Sequence, residues 1–210
     1  MATMHERTRL PQNCAVDIAP RVSASEWKAL SLDDMRSRDW LRACEILEAR
    51  ISERFIDPAD VLIASERPTP ASERRFGFVV LGLDCLLVET LGAFRDGLLD
   101  TKWKSEVTFC RVLRKRPAFA SDFKTDAIAK RFYEDFRCGI LHQAEVGGSS
   151  LVWSVGPLIQ YDDVRIIVNR NEFHARLKTE FTSYLAEISD GHDALLRSNF
   201  RTKMNFIARV

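Results

Sequence analysis

The sequence lacks the features that mark several common classes of protein. Its 31 Lys and Arg residues nearly balance 30 Asp and Glu residues, so no strong overall field attracts nucleic acid or anionic lipid. Residues 1–20 hold no continuous apolar run of the kind found in a signal peptide. The content of 46% hydrophobic and 29% charged residues excludes disorder throughout. We therefore expect a soluble, globular and cytoplasmic protein.

The cysteines show no sign of a disulfide framework or a metal site. They are odd in number and widely spaced, with no CxxC pair and no zinc-ligand spacing to histidine. A chain of 210 residues buries enough surface to fold without such cross-links. We expect reduced thiols, no metal and no cofactor. The cysteines are Cys14, Cys44, Cys85, Cys110 and Cys138.

Sequence motifs of common enzymes are also absent. There is no glycine-rich phosphate loop, GxSxG, HExxH or paired-carboxylate signature, so the usual hydrolase and nucleotide-binding classes find no support. The longest apolar run, 76–94, contains Asp84 and Glu89, which are expensive in a bilayer. This run therefore predicts a buried helix and no membrane partner.

The spacing of apolar residues predicts a mainly α-helical fold. One helix carries Trp40, Cys44, Leu47, Ile51 and Phe55 on one stripe and is predicted to end at Asp57-Pro58. Apolar residues in the central helix cover more than one stripe, as expected for packing on several sides. The predicted later helices, with this central one, span 74–99, 103–116, 121–144, 173–188 and 194–207.

A small β-hairpin is predicted to interrupt the helices near 151–168. Its two β-rich runs are 151–155 and 164–168, separated by turn residues. Residues 1–30 are predicted to form an irregular N-terminal arm, and 31–210 a single helical domain.

Arg137 and His142 form a pair whose spacing points to chemistry. Both lie late in the predicted helix over 121–144. Five residues of an α-helix advance about 7.5 Å and turn about 140° beyond a full circle. The two side chains are therefore predicted to flank one groove, in which a phosphodiester can lie.

These two residue types suit cleavage of RNA by its own ribose 2′-hydroxyl. The Arg137 guanidinium offers a planar fork and a permanent charge to phosphate oxygens. The His142 imidazole can act as general base or acid because its unperturbed pKa of about 6.5 lies near neutrality. Such a scheme requires no metal. Gly139, between them, lets a substrate or a partner helix approach the backbone closely.

With Arg137 and His142, the sequence resembles the HEPN superfamily, whose all-α domains carry an arginine-x4-6-histidine motif near the end of a core helix. The similarity extends from the helix at 74–99 to the helices after residue 171. This resemblance implies a HEPN-like helical bundle and a metal-independent endoribonuclease whose substrate is RNA.

The resemblance also implies partners. In HEPN ribonucleases two motifs commonly meet across a homodimer and form one cleft, which a two-fold interface accomplishes. Many members belong to bacterial toxin–antitoxin or anti-phage (antiviral defence) systems. An antitoxin or a defence-system protein is therefore an implied partner of this chain.

Cys138 departs from the family pattern. Active members often carry Asn, Asp or His after the motif arginine, whereas a thiol is a weak hydrogen-bond donor. The alternative function is a non-catalytic HEPN-like dimeric module for interaction or nucleotide binding. Cys138 itself is either a reactive thiol beside Arg137 or an inert buried residue.

The other candidate residues also have structural alternatives. Glu89 either pairs with Arg137 and holds it for phosphate or faces solvent. Tyr133 either lines the same groove or packs in the core. For Arg137 the alternative is an ion pair with Glu134 or Asp135, or with Glu89 or Asp84 of the long helix, and for His142 it is a helix-terminal imidazole.

A basic cluster and two further histidines complete the candidates. The cluster has two interpretations, an RNA-contacting patch or a solvated helix end. His174 and His192 have no ligand spacing to each other and are expected at the surface or at helix caps. The residues of the cluster are Arg111, Arg114, Lys115 and Arg116.

Overall fold

Helices form most of the protein, as the sequence predicts. The computed structural model describes residues 17–190 and 192–209. Two π-helices, Ser52–Ile56 and Tyr133–Cys138, and a 3₁₀-helix, Ala71–Glu73, accompany the α-helices. The α-helices are α1 (Ala24–Lys28), α2 (Arg38–Ile51), α3 (Asp57–Ser65), α4 (Gly77–Asp96), α5 (Ser105–Lys115), α6 (Pro117–Ala120), α7 (Asp126–Phe132), α8 (Gly139–Gln143), α9 (Arg170–Ser189) and α10 (Ala194–Ala208).

The central helix of the fold is α4, which packs against α5, α9 and α10. It ends at Gly97, whose φ of 64° gives the left-handed conformation that glycine adopts without strain. By length and composition α4 could cross a membrane, but 67% of its apolar window is buried inside the protein. It is therefore a core helix of this fold, and two of its three carboxylates, Asp84 and Glu89, are buried.

Aromatic side chains fix the helix that carries the motif against α9. Phe132 stacks on Phe173 with ring centroids 5.4 Å apart, and it contacts Phe136 at 4.6 Å. All three rings are fully buried. Such pairs contribute about 0.5–1.5 kcal/mol each beyond the burial of their area.

The motif helix is not a regular α-helix, because its middle turn is the π-helix Tyr133–Cys138. Its apolar residues Ile128, Phe132, Phe136 and Ile140 are spaced by four, a stripe that drifts around a regular α-helix with 3.6 residues per turn. A π-turn takes up more residues per turn and offsets this drift. Phe132 and Phe136 consequently face the same core.

The predicted end of the first long helix at Asp57-Pro58 is wrong. The chain continues from α2 through the π-helix Ser52–Ile56 directly into α3. Pro58 lies in the first turn of α3, where the wide π-turn precedes it and a missing N–H group is tolerated.

The predicted hairpin is replaced by a three-stranded sheet. Its strands are β3 (Leu151–Trp153), β4 (Ile159–Tyr161) and β5 (Ile166–Asn169), in the order β3-β5-β4. The two runs predicted to form the hairpin, β3 and β5, pair in parallel. The hairpin is formed by β4 and β5 instead, because Asp162 accepts the Val164 and Arg165 amides at 2.8 Å and makes a tight turn.

Part of the predicted irregular arm is ordered. Residues 1–16, including Cys14, lie outside the described residues. From residue 17 the chain forms β1 (Asp17–Ala19), β2 (Val22–Ser23) and α1. Ile18 and Trp27 are buried in the same core as the later helices, which explains why this segment is not irregular.

The four described cysteines, Cys44, Cys85, Cys110 and Cys138, are free thiols. Burial raises the pKa of Cys44 and that of Cys110 to about 11, so both thiols stay protonated near neutral pH. Cys85 is fully buried in α4. These residues act as small apolar side chains of the core.

Candidate functional site

Glu89 of α4 is the centre of a hydrogen-bonded cluster around Arg137. Its Oε2 accepts from Arg137 Nη2 at 2.9 Å and Nε at 3.1 Å. The same oxygen accepts from the Ser105 hydroxyl at 2.7 Å, and Oε1 accepts from the Thr101 hydroxyl. The predicted pairing of Glu89 with Arg137 is therefore present, and the guanidinium is held on one edge.

Arg137 and His142 are in direct contact. Arg137 Nη1 lies 3.3 Å from His142 Nε2. The prediction that they flank a groove is wrong, because the chain between them follows the π-turn Tyr133–Cys138 and then α8 rather than one regular helix. His142 is exposed, so its ring can be reached from solvent, whereas only 16% of the Arg137 side chain is exposed.

The neighbours of Arg137 keep it charged. Burial opposes the charge, but the Glu89 carboxylate outweighs this effect and raises the pKa of Arg137 above its ordinary value. Tyr133 lies beneath the guanidinium, with Arg137 Cζ 5.5 Å from the ring centroid. The free edge of Arg137 is therefore a fixed cationic donor beside His142.

Tyr133 serves the site and the core together. Its ring is buried against Phe109, with centroids 5.4 Å apart, and its hydroxyl donates to Ser105 Oγ at 3.0 Å. Burial raises the pKa of Tyr133, which keeps the hydroxyl protonated as a donor. A chain of hydrogen bonds thus runs from Tyr133 through Ser105 and Glu89 to Arg137.

Gly139 lets the chain turn back after the motif. A Cβ at this position would lie 2.5 Å from the Glu145 carbonyl oxygen and 3.2 Å from the Gly147 amide nitrogen. The approach that the sequence attributes to a substrate or a partner is therefore made by the protein's own loop. This loop follows α8, which carries His142.

A cavity of about 330 Å³ opens beside Arg137. Its wall includes the cation Lys203 of α10 and the carboxylates Glu89 and Asp100. Lys203 Nζ donates to the Leu99 carbonyl at 2.6 Å. The cavity wall therefore holds two cations and two carboxylates beside Arg137's free edge, and the cations Arg137 and Lys203 are the groups that suit an anionic ligand.

Comparison with family models, curated proteins and solved structures finds no match for this chain. The chemistry of the site and the resemblance to HEPN proteins therefore carry the functional proposal. Among residues 17–190 and 192–209, no cluster of three or more His, Cys, Asp and Glu side chains is arranged to hold a metal ion.

Cys138 is partly buried and packs against the core. It lies in the same π-turn as Arg137, one residue further along the chain. A thiol packed in this way contributes shape rather than a strong hydrogen bond to the site. Orientation of Arg137 falls to Glu89 instead.

The basic cluster of α5 is largely neutralised by the fold. Arg111 pairs with Asp96, Arg114 with Asp126, and Arg116 with both Glu180 and Glu187. Of the four cluster residues, Lys115 alone forms no ion pair with the described residues, and its side chain is exposed. The interpretation as an RNA-contacting patch is therefore not supported by the geometry, because packing brings acidic residues from other helices to these guanidinium groups.

His174 is buried, contrary to the expectation of a surface role, whereas His192 is exposed. His174 Nδ1 lies 2.7 Å from Asp84 Oδ1, so Asp84 pairs with α9 and not with Arg137. Burial raises the pKa of Asp84, and His174 opposes this rise. The spacing of His174 with Leu177 and Phe181 on one helix face is the sequence signal for its burial.

Three residues near the site do not follow from the sequence motif. Thr101, between α4 and α5, and Ser105, the first residue of α5, bind Glu89, and no spacing rule connects them to Arg137. Between them lies Trp103, which is 92% exposed. An aromatic residue between lysines, Lys102 and Lys104, is the only sequence signal available for this segment.

Proposed function

We propose that this protein is a metal-independent endoribonuclease of the HEPN type, with Arg137 and His142 as its catalytic residues. The observation that carries the proposal is the contact of 3.3 Å between Arg137 Nη1 and the solvent-reachable His142 Nε2. The carboxylate of Glu89 supports it, because it fixes one edge of the guanidinium and leaves the other for phosphate.

The two side chains have complementary roles in the reaction. His142 Nε2, which accepts from Arg137 when it is unprotonated, takes the proton of the ribose 2′-hydroxyl. The 2′-oxygen then bonds to phosphorus while the bond from phosphorus to the 5′-oxygen breaks. Arg137 stabilises the charge on the non-bridging oxygens. The departing 5′-oxygen takes a proton, and the product carries a 2′,3′-cyclic phosphate.

A homodimer is part of the proposal, and α4 offers a surface for it. Val79, Leu83, Leu86 and Thr90 form a partly exposed stripe along this helix, which we name the α4 stripe. Leu86 and Thr90 also line the cavity beside Arg137. Pairing of two copies through the α4 stripe would bring two sites into one cleft, in which the second copy's His142 can supply the proton for the 5′-oxygen.

The test is incubation of purified protein with mixed RNA in EDTA. Wild-type protein should leave fragments with 2′,3′-cyclic phosphate ends. His142→Ala should lower the rate about 10²- to 10⁴-fold because it removes the general base. Arg137→Ala should lower the rate about 10²- to 10³-fold. Arg137→Lys should be more active than Arg137→Ala because it keeps the positive charge, but less active than the wild type because it loses the planar fork.

His192→Ala is the matched control, since it removes an exposed imidazole away from the motif. It should cleave RNA like the wild type. Equal losses in Arg137→Ala and Arg137→Lys would contradict phosphate binding by the guanidinium fork. If RNA stays intact after incubation with the wild-type protein, the proposed endoribonuclease activity is contradicted.

The alternative is a non-catalytic dimeric module of HEPN type, and Cys138 at the position after Arg137 favours it. In that case wild-type protein leaves RNA intact, and the dimer is unaffected by His142→Ala. The phosphate-binding edge of Arg137 would then hold a nucleotide or a partner without cleavage. The toxin–antitoxin or defence setting of either version rests on the resemblance alone.

A further inference from the structure

Trp103 has an exposure that packing does not explain. Its indole is 92% exposed, more than Leu99 (48%) and Val107 (65%) on either side of it, whereas Phe109 and Leu113 of α5 are fully buried. The residue also has a φ of 65°, in the left-handed region that favours glycine. A large aromatic group is therefore presented to solvent on a backbone conformation that does not suit it.

The turn that presents Trp103 is fixed on both sides to the proposed site. Thr101 and Ser105 each donate a hydroxyl hydrogen bond to Glu89, which holds Arg137. The Thr101 carbonyl accepts the Lys104 amide at 2.8 Å and closes the turn. Trp103 is thus carried on a rigid rim beside the cluster that holds the catalytic guanidinium.

The charges of the rim suit a nucleic acid backbone. Lys102 and Lys104 flank Trp103 and are both exposed. Lys102 Nζ lies 5.7 Å from the centre of the indole ring, where it can reach a phosphate of a nucleotide stacked on that ring. The wall of the adjacent cavity holds two further cations, Arg137 and Lys203, together with the carboxylates Glu89 and Asp100.

We infer that Trp103 is a stacking platform for an unpaired base of the RNA substrate, with Lys102 and Lys104 contacting its phosphates. This inference rests on the proposed function and adds to it the class of substrate, which is single-stranded RNA. An indole face stacks on any base and gives affinity without strict sequence preference. Bases within a duplex have no free face, so double-stranded RNA should not use this residue.

Binding is measured with an RNA oligonucleotide whose 2′-hydroxyls are methylated, so that it cannot be cleaved. Trp103→Ala should weaken binding of the single strand by about 5- to 100-fold, and Trp103→Phe should retain most of the affinity. The quenching of tryptophan emission on addition of RNA should be lost in Trp103→Phe. Replacement of Lys102 and Lys104 by Gln should lower the salt dependence of binding.

Trp153→Ala is the matched control, because Trp153 is also partly exposed but lies on β3. It should bind the methylated RNA like the wild type. Equal affinity of Trp103→Ala and wild type, or equal losses for single and double strands, would overturn the inference. A wild-type protein that binds no RNA would overturn it too and would leave Trp103 as a contact for a protein.

Cleavage of unmodified RNA separates this inference from the proposed function. Cleavage by the wild type with unchanged binding in Trp103→Ala would refute the stacking platform and leave the nuclease standing. Binding that depends on Trp103, without cleavage, would refute the nuclease and leave the platform standing.

Discussion

At the scale of single residues, buried carboxylates decide which cations stay available for function. Glu89 binds Arg137 on one edge only and leaves its Nη1 beside His142. Glu180, in contrast, takes up Arg95 and Arg116 together in the interior. The same chemistry therefore produces a fixed functional cation in one place and a neutralised structural cation in the other.

Glu66 and Arg170 form the most deeply buried ion pair of Glu with Arg among the described residues. Glu66 also accepts the backbone amides of Arg75 and Phe76. Burial alone would raise the pKa of Glu66, but Arg170 and these two amides together lower it below its ordinary value of 4.5. The folded state therefore favours the ionised carboxylate, and this contribution to stability is lost as the pH falls below 4.5.

Glu66→Gln should consequently destabilise the protein by about 3–5 kcal/mol at pH 7, because Arg170 is left buried without a counter-charge. Urea unfolding of wild type and variant at pH 7 and at lower pH measures the difference, which should shrink as the pH falls below 4.5. Glu45→Gln, at an exposed pair with Arg42, should change stability by less than about 1 kcal/mol. A difference for Glu66→Gln that does not vary with pH would contradict the role of its charge.

At the scale of elements, the π-turn Tyr133–Cys138 determines the geometry of the motif. It lets Phe132 and Phe136 both pack in the core, and it places the Arg137 side chain against Glu89 and His142. π-Turns of this kind are often found at functional sites. The direct contact of the two motif side chains is a property of this irregular helix rather than of the five-residue spacing alone.

Gly139→Ala tests the close approach that ends this helix. Its Cβ would meet the backbone of Glu145 and Gly147, so the loop must shift, and the free energy of unfolding should fall by about 1–3 kcal/mol or more. RNA cleavage should fall as well, since α8 carries His142. Thermal or urea unfolding and the cleavage assay measure both effects.

Gly82→Ala in α4 provides the comparison for that variant. Its Cβ would meet only the Ile140 side chain, at an ordinary contact distance of 3.4 Å. Alanine in a helix interior then favours folding by about 0.5–1 kcal/mol over glycine. If both variants lower the free energy of unfolding equally, the backbone contact at Gly139 is not the cause of the destabilisation.

At the scale of the whole molecule, the α4 stripe is the surface on which the dimer proposal can be tested. Val79 is 53% exposed on α4, so an Asp there is tolerated by the monomer but opposes an apolar interface. Wild-type protein should have twice the chain mass of 24.0 kDa, and Val79→Asp should have the mass of one chain. Light scattering after size exclusion measures both.

Val61→Asp is the control for this substitution, since Val61 is 67% exposed on α3 outside the α4 stripe. It should remain a dimer. The monomeric Val79→Asp should also cleave RNA more slowly if two copies share one cleft. A monomeric wild type, or a Val79→Asp that stays dimeric, would contradict pairing through the α4 stripe.

The sequence by itself determined the helical class and the central position of α4, and it offered the pairing of Glu89 with Arg137 as one of two alternatives. These follow from the period of apolar residues and from the need of a buried carboxylate for a cation, both of which are local or chemical properties of the chain.

Only the tertiary structure decided how the remaining side chains are used. Thr101 and Ser105 reach Glu89, acidic residues neutralise the cluster of α5, and His174 pairs with Asp84, in each case through packing of segments distant in the sequence. The parallel pairing of β3 with β5 has the same origin. Spacing along a chain gives the face on which a side chain lies, but its partner depends on which other element packs against that face.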